Sequence, residues 1–489
     1  VQCMVYAYAL NAFTFVYADP DLFGHITYGG EIWNSGKIPA TDPYAYTSEG
    51  PWINHEWLME VLFFLIYDVW GSTGLMVFRL LLGVSIIHLL SDLYFSKSNN
   101  LPAYAFHFIL LTHVLAFGFA MRPQLATYFF LPVMIYLVYR FFDGDRAALI
   151  LVPVVFVLWV NCHGGVAAGI GIFSMITAVE TLRNVFTKES NWLYLLAAWA
   201  ASCAALLVNP YGIDLLKFFV KTIPQARDVT EWYPLELFDI NHLPFKVMVL
   251  IFLVTLFSPA RKNWWQVAVI ACGIFFGFKH ARHTVLTAFL MTPYLPIHMA
   301  TMIDRARARR QRAPQPFPRW AHALIAMVLI VFAAFQINIQ IFKLKRTDFQ
   351  LKVDPGYFPV YAVRFLKENH LNGNILVPVN WGQYVIFHLP HSKVSSDGRY
   401  WTVYTPKLIR QNMIFHNGWQ GWQYFLGFYH HDLILTGLKN EKLEQLEGWV
   451  KIFEGPRSRV FVRTNKPFHP AYFKHLKGML TYNLSLIHI

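Results

Sequence analysis

Charge is scarce in this chain: Asp, Glu, Lys and Arg together make up 14% of 489 residues, while 56% are hydrophobic. Long apolar runs recur to about residue 342, far more than a soluble basic domain carries, so the chain reads as a polytopic membrane protein. Cysteine is scarce too. Cys3, Cys162, Cys203 and Cys272 lie in or beside apolar segments without paired or metal-type spacing, so they read as small buried hydrophobes and say little about compartment. The C-terminal part has no Gly-x-Gly-x-x-Gly and no phosphate-loop motif, so nothing there supports nucleotide binding. No internal repeat is visible, which counts against a transporter. The net charge of +13 is carried mostly by short loops and one cluster. Such placement signals membrane topology rather than a nucleic-acid surface. The chain opens on Val1, and no targeting signal is judged from its start.

The apolar pattern sets an expected architecture. A first segment covers 1–17 and a first loop 18–56, and further runs fall at roughly 57–70, 75–93, 101–120, 124–139, 147–161, 163–180, 191–208, 245–258, 264–279, 282–300 and 320–342. The run 57–70 is short and carries Glu60 and Asp68, so it reads as re-entrant or packed inside the bundle. Eleven to thirteen crossings follow. Arg305, Arg307, Arg309, Arg310, Arg312 and Arg319 place the loop 301–319 in the cytoplasm. Counting back, Arg140, Arg146, Arg183, Lys188, Arg261 and Lys262 come out on the same side. One more crossing puts 350–489 outside, where strand-like runs (374–379, 393–396, 432–436, 449–453 and 459–462) predict a small soluble α/β domain. The fold class is therefore mostly α, a transmembrane domain over 1–342 followed by an extracytoplasmic α/β domain.

Chemistry gathers on the outer face. In Asp19-Pro20-Asp21-Leu22-Phe23-Gly24-His25, Asp19 suits an N-cap and Pro20 the first helical position, and Asn34-Ser35-Gly36 stops the helix. This helix should lie along the membrane surface. A second cap-plus-proline signal, Thr41-Asp42-Pro43, predicts another short helix in the same loop. Asp21 and His25 share a helix face and could both ligate an ion, with His55 or Glu56 adding to them. Hard cations prefer more carboxylates and zinc needs a better-defined ligand set, so a divalent metal is compatible with these residues but not required. Arg122, Gln124, Asn161, His163, Glu231, Trp232, Lys279, His280, Arg282 and His283 fall on the same side. Taken singly, each has a plainer reading. Asp19 and Asp21 can be a cap and a solvated charge, Arg122 a snorkelling anchor, Lys279 to His283 a charged turn, Asn161 and His163 a helix break, and Trp232 a belt aromatic. Their collection on one face points to a site.

The order of these motifs resembles a known family. Asp19 to His25, then His55-Glu56-Trp57-Leu58, Arg122-Pro123-Gln124, Trp159-x-Asn161-x-His163-Gly164-Gly165 and Asn209-Pro210-Tyr211-Gly212 are similar to bacterial integral-membrane glycosyltransferases of the GT-C superfamily. Trp381-Gly382 and Ser395-Ser396-Asp397-Gly398-Arg399 resemble the extracytoplasmic domain of the same branch. One position departs: Phe23-Gly24 stands where the resemblance leads one to expect bulkier aromatic residues. The resemblance implies transfer of a sugar from a polyprenyl-phosphate carrier to an extracytoplasmic glycan, lipid or protein acceptor, in the bacterial cytoplasmic (inner) membrane. It implies Asp19 or Asp21 as general base, with Asp19 favoured for its place at the loop mouth. It gives Arg122, Arg282 and Lys279 to the departing phosphate, and His25, His55, Glu56, Gln124, Asn161 and His163 to substrate. The competing reading is a non-catalytic subunit that keeps the fold as a scaffold for membrane protein partners, with the aromatic stretch 415–429 as a docking patch or a sugar-stacking surface.

Overall fold

Residues 57–95 are mostly apolar, yet the chain breaks at Gly71, whose φ of 59° and ψ of −156° lie outside the helical region. A residue with a Cβ rarely adopts that conformation. Close to this break the computed structural model, which describes residues 1–187, 192–222, 230–309, 318–464 and 487–488, divides into two compact units. One comprises residues 1–15 and 76–349, the other residues 16–75 and 350–489. The division differs from a contiguous cut near residue 345. The first loop clusters with the C-terminal region, and so does the run 57–70, which belongs to that unit rather than to the helical bundle.

The first unit is helical. Among the described residues, five helices of the chain are long and apolar enough to cross a membrane: Trp57–Phe95, Leu101–Gly118, Gln124–Phe142, Val166–Asn184 and Arg319–Lys345. The bent pair Ala281–Met291 and Leu295–Arg309 makes a sixth if counted as one span, and four shorter apolar helices occupy other expected runs. Arg319–Lys345 exposes Leu324, Ile325, Ile330 and Phe335. Such a surface suits lipid, not water. Its polar groups turn inward: Gln336 accepts from the Asn11 amide, and Lys343 Nζ donates to Asn11 Oδ1 at 2.9 Å. Hydrogen bonds of this kind hold membrane helices together where apolar contact with lipid gives no preference. The protein is thus a multi-pass, mostly α membrane protein with a small C-terminal α/β region. Lys188, Arg310 and Arg312, which entered the orientation argument, lie outside the described residues.

The second unit is built on a five-stranded sheet. Asn374–Leu376 lies between Lys393–Val394 and Leu433–Thr436, both parallel to it; Arg459–Arg463 runs antiparallel to Leu433–Thr436, and Trp449–Glu454 closes the far side. All five strands fall within the runs expected from the alternation of apolar residues or within one residue of them. The first loop completes this domain's core. Phe23, Tyr28, Ala45 and Trp52 are buried among Ile375, Tyr384, Val394 and Phe461. The loop also extends the sheet, since Val394 N–H donates to Tyr44 O at 2.9 Å and Tyr46 N–H to Val394 O at 3.2 Å.

Two helix expectations change here. The helix Leu22–Ser35 begins later than Pro20, and Asp19 instead turns its Oδ1 to the Asp21 N–H at 3.0 Å, an Asx turn that leads the chain in. Gly36 ends the helix in the left-handed conformation, as expected. A helix does not form at Thr41-Asp42-Pro43: Thr41 bridges Pro51, and Asp42 enters the ion pair described below. Nor is the first helix merely surface-lying: Phe23 is fully buried, with ring centroids 4.9 Å from Tyr384 and 5.4 Å from Phe358.

Three imidazoles, His416 and His431 buried and His388 half-buried, give this unit an acid sensitivity. Burial pushes His416 down to about 3, and His388 and His431 to about 4. An unfolded histidine titrates near pH 6.5. The unfolded chain therefore binds more protons as pH drops below about 6.5, so the stability these groups contribute is fully present above that value and is lost progressively toward pH 4. Thermal unfolding of the full chain should hold steady above neutrality and fall steeply between about pH 6.5 and 4. Changing all three to Gln or Phe should flatten that slope.

Candidate functional site

The residues expected to act together fall into groups, some in each unit. In the second unit, the helix Leu22–Ser35 carries His25 against Glu60, one turn into the helix that starts at Trp57. His25 Nδ1 lies 2.9 Å from Glu60 Oε1, and Asn54 Nδ2 donates to Glu60 Oε2 at 2.5 Å. Burial pulls the His25 imidazole down, but the hydrogen bond and charge of Glu60, helped by Glu56 and Asp21, outweigh it and raise its pKa. Close packing is what permits this pair. A Cβ on Gly29 would meet the backbone oxygen of Glu60 at 2.0 Å, so only glycine lets the two helices approach so nearly.

His25, Glu56 and Glu60 each offer one ligand atom within 4.8 Å of the others. One imidazole and two carboxylates suit a divalent cation. Asp21 and His25 do not converge here: His25 turns to Glu60 while Asp21 turns to Gln383. Glu60 Oε1 and Oε2 are engaged by His25 and Asn54. His55 Nε2 lies 3.6 Å from Glu56 Oε1 at the edge of this cluster.

Asp21 faces the C-terminal region. With the Gln383 amide nitrogen turned toward it, Nε2 donates to Asp21 Oδ1 at 3.1 Å and to Asp21 O at 2.9 Å. An ideal Cβ on Gly398 would lie 2.2 Å from Asp21 Oδ1, so that carboxylate occupies the space a side chain would fill. Beyond it, Arg399 is buried between two carboxylates. Nη1 and Nη2 donate to Asp42 Oδ1 and Oδ2 at 2.9 and 3.0 Å, while Nε and Nη2 donate to Asp397 Oδ1 and Oδ2 at 2.9 and 2.6 Å. The guanidinium also lies 4.7 Å from the Trp52 ring centre and 4.8 Å from that of Tyr28. Burial alone would raise the Asp397 carboxyl, but the Arg399 charge and the hydrogen bonds from Arg399 and Tyr404 hold it below its usual range. Asp42 goes the other way, raised first by burial.

In the first unit, the residues around Arg122 form a second group. Arg122 Nη1 donates to Glu231 Oε1 at 3.1 Å, and Arg282 Nη2 to Gln124 Oε1 at 3.4 Å. Arg282 also lies over Trp232, 4.8 Å from its centroid, and Trp232 O is 2.7 Å from His280 Nδ1. Backbone bonds from Leu235 to Phe278 and from Ala281 to Tyr233 fasten the two loops together. The structure thus brings Arg122, Gln124, Glu231, Trp232, His280 and Arg282 into one group, and Trp232 is a stacking partner rather than only a belt aromatic. Lys279 is exposed beside it.

His163 belongs with Gln124's helix. The Gly165 N–H donates to His163 Nδ1 at 3.0 Å, which fixes that nitrogen as an acceptor. The Thr127 hydroxyl, 2.7 Å away, then donates to it too, while accepting from Trp159 Nε1–H at 2.9 Å. The neutral ring must carry its hydrogen on Nε2. His163 is therefore presented as a donor. Asn161 does something plainer: its amide donates to Val157 O and Val208 O, both at 2.8 Å, tying a helix end to the turn before Asn209. Those two bonds fit a helix break at this turn.

Sequence reasoning passed over Gln383 and Gly29, and it gave Glu60 no part in the site. Glu60 left one signal: it lies one turn after Glu56 in an apolar run, where a carboxylate is expensive unless it has a partner.

No family model and no curated protein matches the sequence. Solved structures are similar in shape. The oligosaccharyltransferase AglB from Archaeoglobus fulgidus, in complex with an inhibitory peptide and a dolichol-phosphate, superposes with a TM-score of 0.55 at 11% identity over 90% of this chain and 69% of that one. ArnT from Cupriavidus metallidurans, bound to undecaprenyl phosphate, gives 0.53 at 11% identity over 94% of this chain and 95% of that one. The arabinofuranosyltransferase AftD from Mycobacteria gives 0.50 at 14% identity over 95% of this chain and 40% of that one. At such identities the likeness establishes the fold. The chain shares the fold of these three proteins.

Proposed function

We propose that this protein is a membrane glycosyltransferase that moves a sugar from a polyprenyl-phosphate carrier to a hydroxyl of an extracytoplasmic acceptor, in the bacterial cytoplasmic membrane. The observation that carries this reading is the group formed by Arg122, Gln124, Trp232 and Arg282, in a chain whose helices expose apolar side chains to lipid. Fixed guanidinium groups match phosphate oxygens, and an apolar exterior suits an isoprenoid tail. That two of the similar structures hold dolichol-phosphate and undecaprenyl phosphate supports the same ligand class.

In this reading Asp21 is the general base. As the acceptor oxygen forms its bond to the anomeric carbon, its proton passes to the Asp21 carboxylate, the bond from that carbon to the phosphate oxygen breaks, and the polyprenyl phosphate departs with both bonding electrons. Within the first unit, Arg122, Arg282 and Lys279 carry the kind of positive charge that a departing phosphate calls for. A single displacement inverts the anomeric centre. His163 offers Nε2–H to a sugar or phosphate oxygen, and His55 and Glu56 flank the acceptor. Asp19 has a supporting part: its Oδ1 accepts from the Asp21 N–H and so fixes the turn that carries Asp21. His25 is committed to Glu60 and holds the loop instead of substrate.

The test is transfer in vesicles supplied with labelled polyprenyl-phosphate sugars. The native chain should glycosylate an acceptor, and a folded Arg282→Ala variant should lose about 10²–10³-fold in rate, the usual effect of deleting a donor to a developing anion. A native chain that transfers nothing from any such donor would sink this reading. The scaffold alternative would then lead. It draws on Trp419, Tyr424 and Phe428, which stay exposed while Phe415, Trp422 and Phe425 enter the core.

A further inference from the structure

The C-terminal domain of such an enzyme could be a mere appendage. Its contacts with the first loop suggest otherwise. Asp21 takes two hydrogen bonds from Gln383, on the helix Val379–His388, and sits where a Cβ on residue 398 would be. Gln383 is itself buried. It has room because residue 24 is glycine: a Cβ there would meet Gln383 Cγ at 2.7 Å and Cδ at 2.6 Å. The departure at Phe23-Gly24 thus has a physical reason, since a bulkier residue would displace the Gln383 side chain. Gly382 serves the same contact from behind. A Cβ on it would strike Ser396 O at 2.1 Å, so the helix presses directly against the Ser395 to Arg399 segment that frames Asp21.

We propose that Gln383 is a positioning residue for the transfer reaction, aiming the Asp21 carboxylate from the C-terminal domain through a gap kept open by Gly24 and Gly398. The assignment rests on the reading of Asp21 as the base. It means that the soluble domain and the first loop make one reacting element, with no substrate contact required of Gln383. A donor to a carboxylate stabilises its charged form, so removing that donor raises the carboxylate's pKa.

The experiment compares native chain, Asp21→Asn, Gln383→Ala and Gly398→Ala in the vesicle assay, each with kcat, donor and acceptor KM, and the pH dependence of kcat. For Gln383→Ala we expect kcat to fall on the order of 10²-fold, as for a small misplacement of a reacting group, with both KM values nearly unchanged and the acid limb of the profile moved to higher pH. A purely structural role would move neither the limb nor kcat apart from KM. Gly398→Ala, which displaces Asp21 while leaving the amide in place, should lower kcat as well. Should Gln383→Ala not fold, Gln383→Asn, a shorter amide, replaces it with the same expectations.

Contact is read separately from activity by the pair Gly24→Cys and Gln383→Cys, whose sulfur atoms should cross-link under mild oxidation. An inactive Asp21→Asn beside a Gln383 variant with native kcat and acid limb overturns this inference alone. A fully active Asp21→Asn, or a native chain without transfer, overturns the reading beneath it and this inference together. Failure to cross-link in folded protein overturns the positioning directly.

Discussion

Arg399→Ala is expected to destabilise the second unit by about 3–5 kcal/mol, the range for breaking a buried ion pair by deleting one partner. The reason lies in what remains. Asp42 and Asp397 are both shielded from water, and Arg399 is the cation shown between them, with its own side chain only 6% exposed. Deleting it leaves two like charges with no compensation and removes a guanidinium that stacks on Trp52 and Tyr28. Arg399→Lys should recover only part of the loss, because an ammonium cannot satisfy both carboxylates with paired donors in one plane. Since Asp42 and Tyr28 belong to the first loop, limited proteolysis should cut that loop in Arg399→Ala under conditions that leave native protein intact. A variant with native melting temperature and native protease resistance would show that the network carries little of the loop's attachment.

Asp21→Asn is expected to lower sugar transfer by about 10²–10⁴-fold, the usual contribution of a positioned proton acceptor, in protein that melts like the native chain. An amide keeps the size of the side chain but accepts no proton. Asp19→Asn provides the contrast. Asparagine is as good as aspartate in the turn that receives the Asp21 N–H, so this variant should stay close to native activity, whereas Asp19→Ala should cost about 1 kcal/mol of stability. If the large loss follows Asp19→Asn instead, the base is Asp19, and the carboxylate held by Gln383 has another use.

The two carboxylates also separate signals that are local in the sequence from those that are not. Asp19 and Asp21 were recognisable because cap, proline and charge occur together at the end of an apolar segment, a local signal. The five strands of the C-terminal sheet were legible for the same reason, since alternation is written within each run. Arg122 and Arg282 were legible as helix-end charges, though not their convergence with Glu231 and Trp232. What was not legible involves residues far apart in the chain. Nothing near Asp42 announces that Arg399, 357 positions further on, will meet it, and Thr41-Asp42-Pro43, held by that pairing and by the bridge to Pro51, starts no helix despite its capping residues. Glu60 was hidden differently: in an apolar run it reads as a blemish in a span, and only the partner His25 explains it. Gly24 read as a defect until Gln383 supplied the volume that required it.

The discontinuity of the second unit has a consequence for biosynthesis. Phe23, Tyr28 and Trp52 leave the ribosome long before Tyr384, Val394 and Arg399 exist to cover them. At ordinary elongation rates a separation of 357 residues corresponds to roughly 20 to 70 s. For that interval the nascent loop presents aromatic surface and an unpaired Asp42 with no native partner. A stop codon after the last membrane-spanning helix would make the wait permanent, and such premature termination should yield protein that is degraded rather than stored.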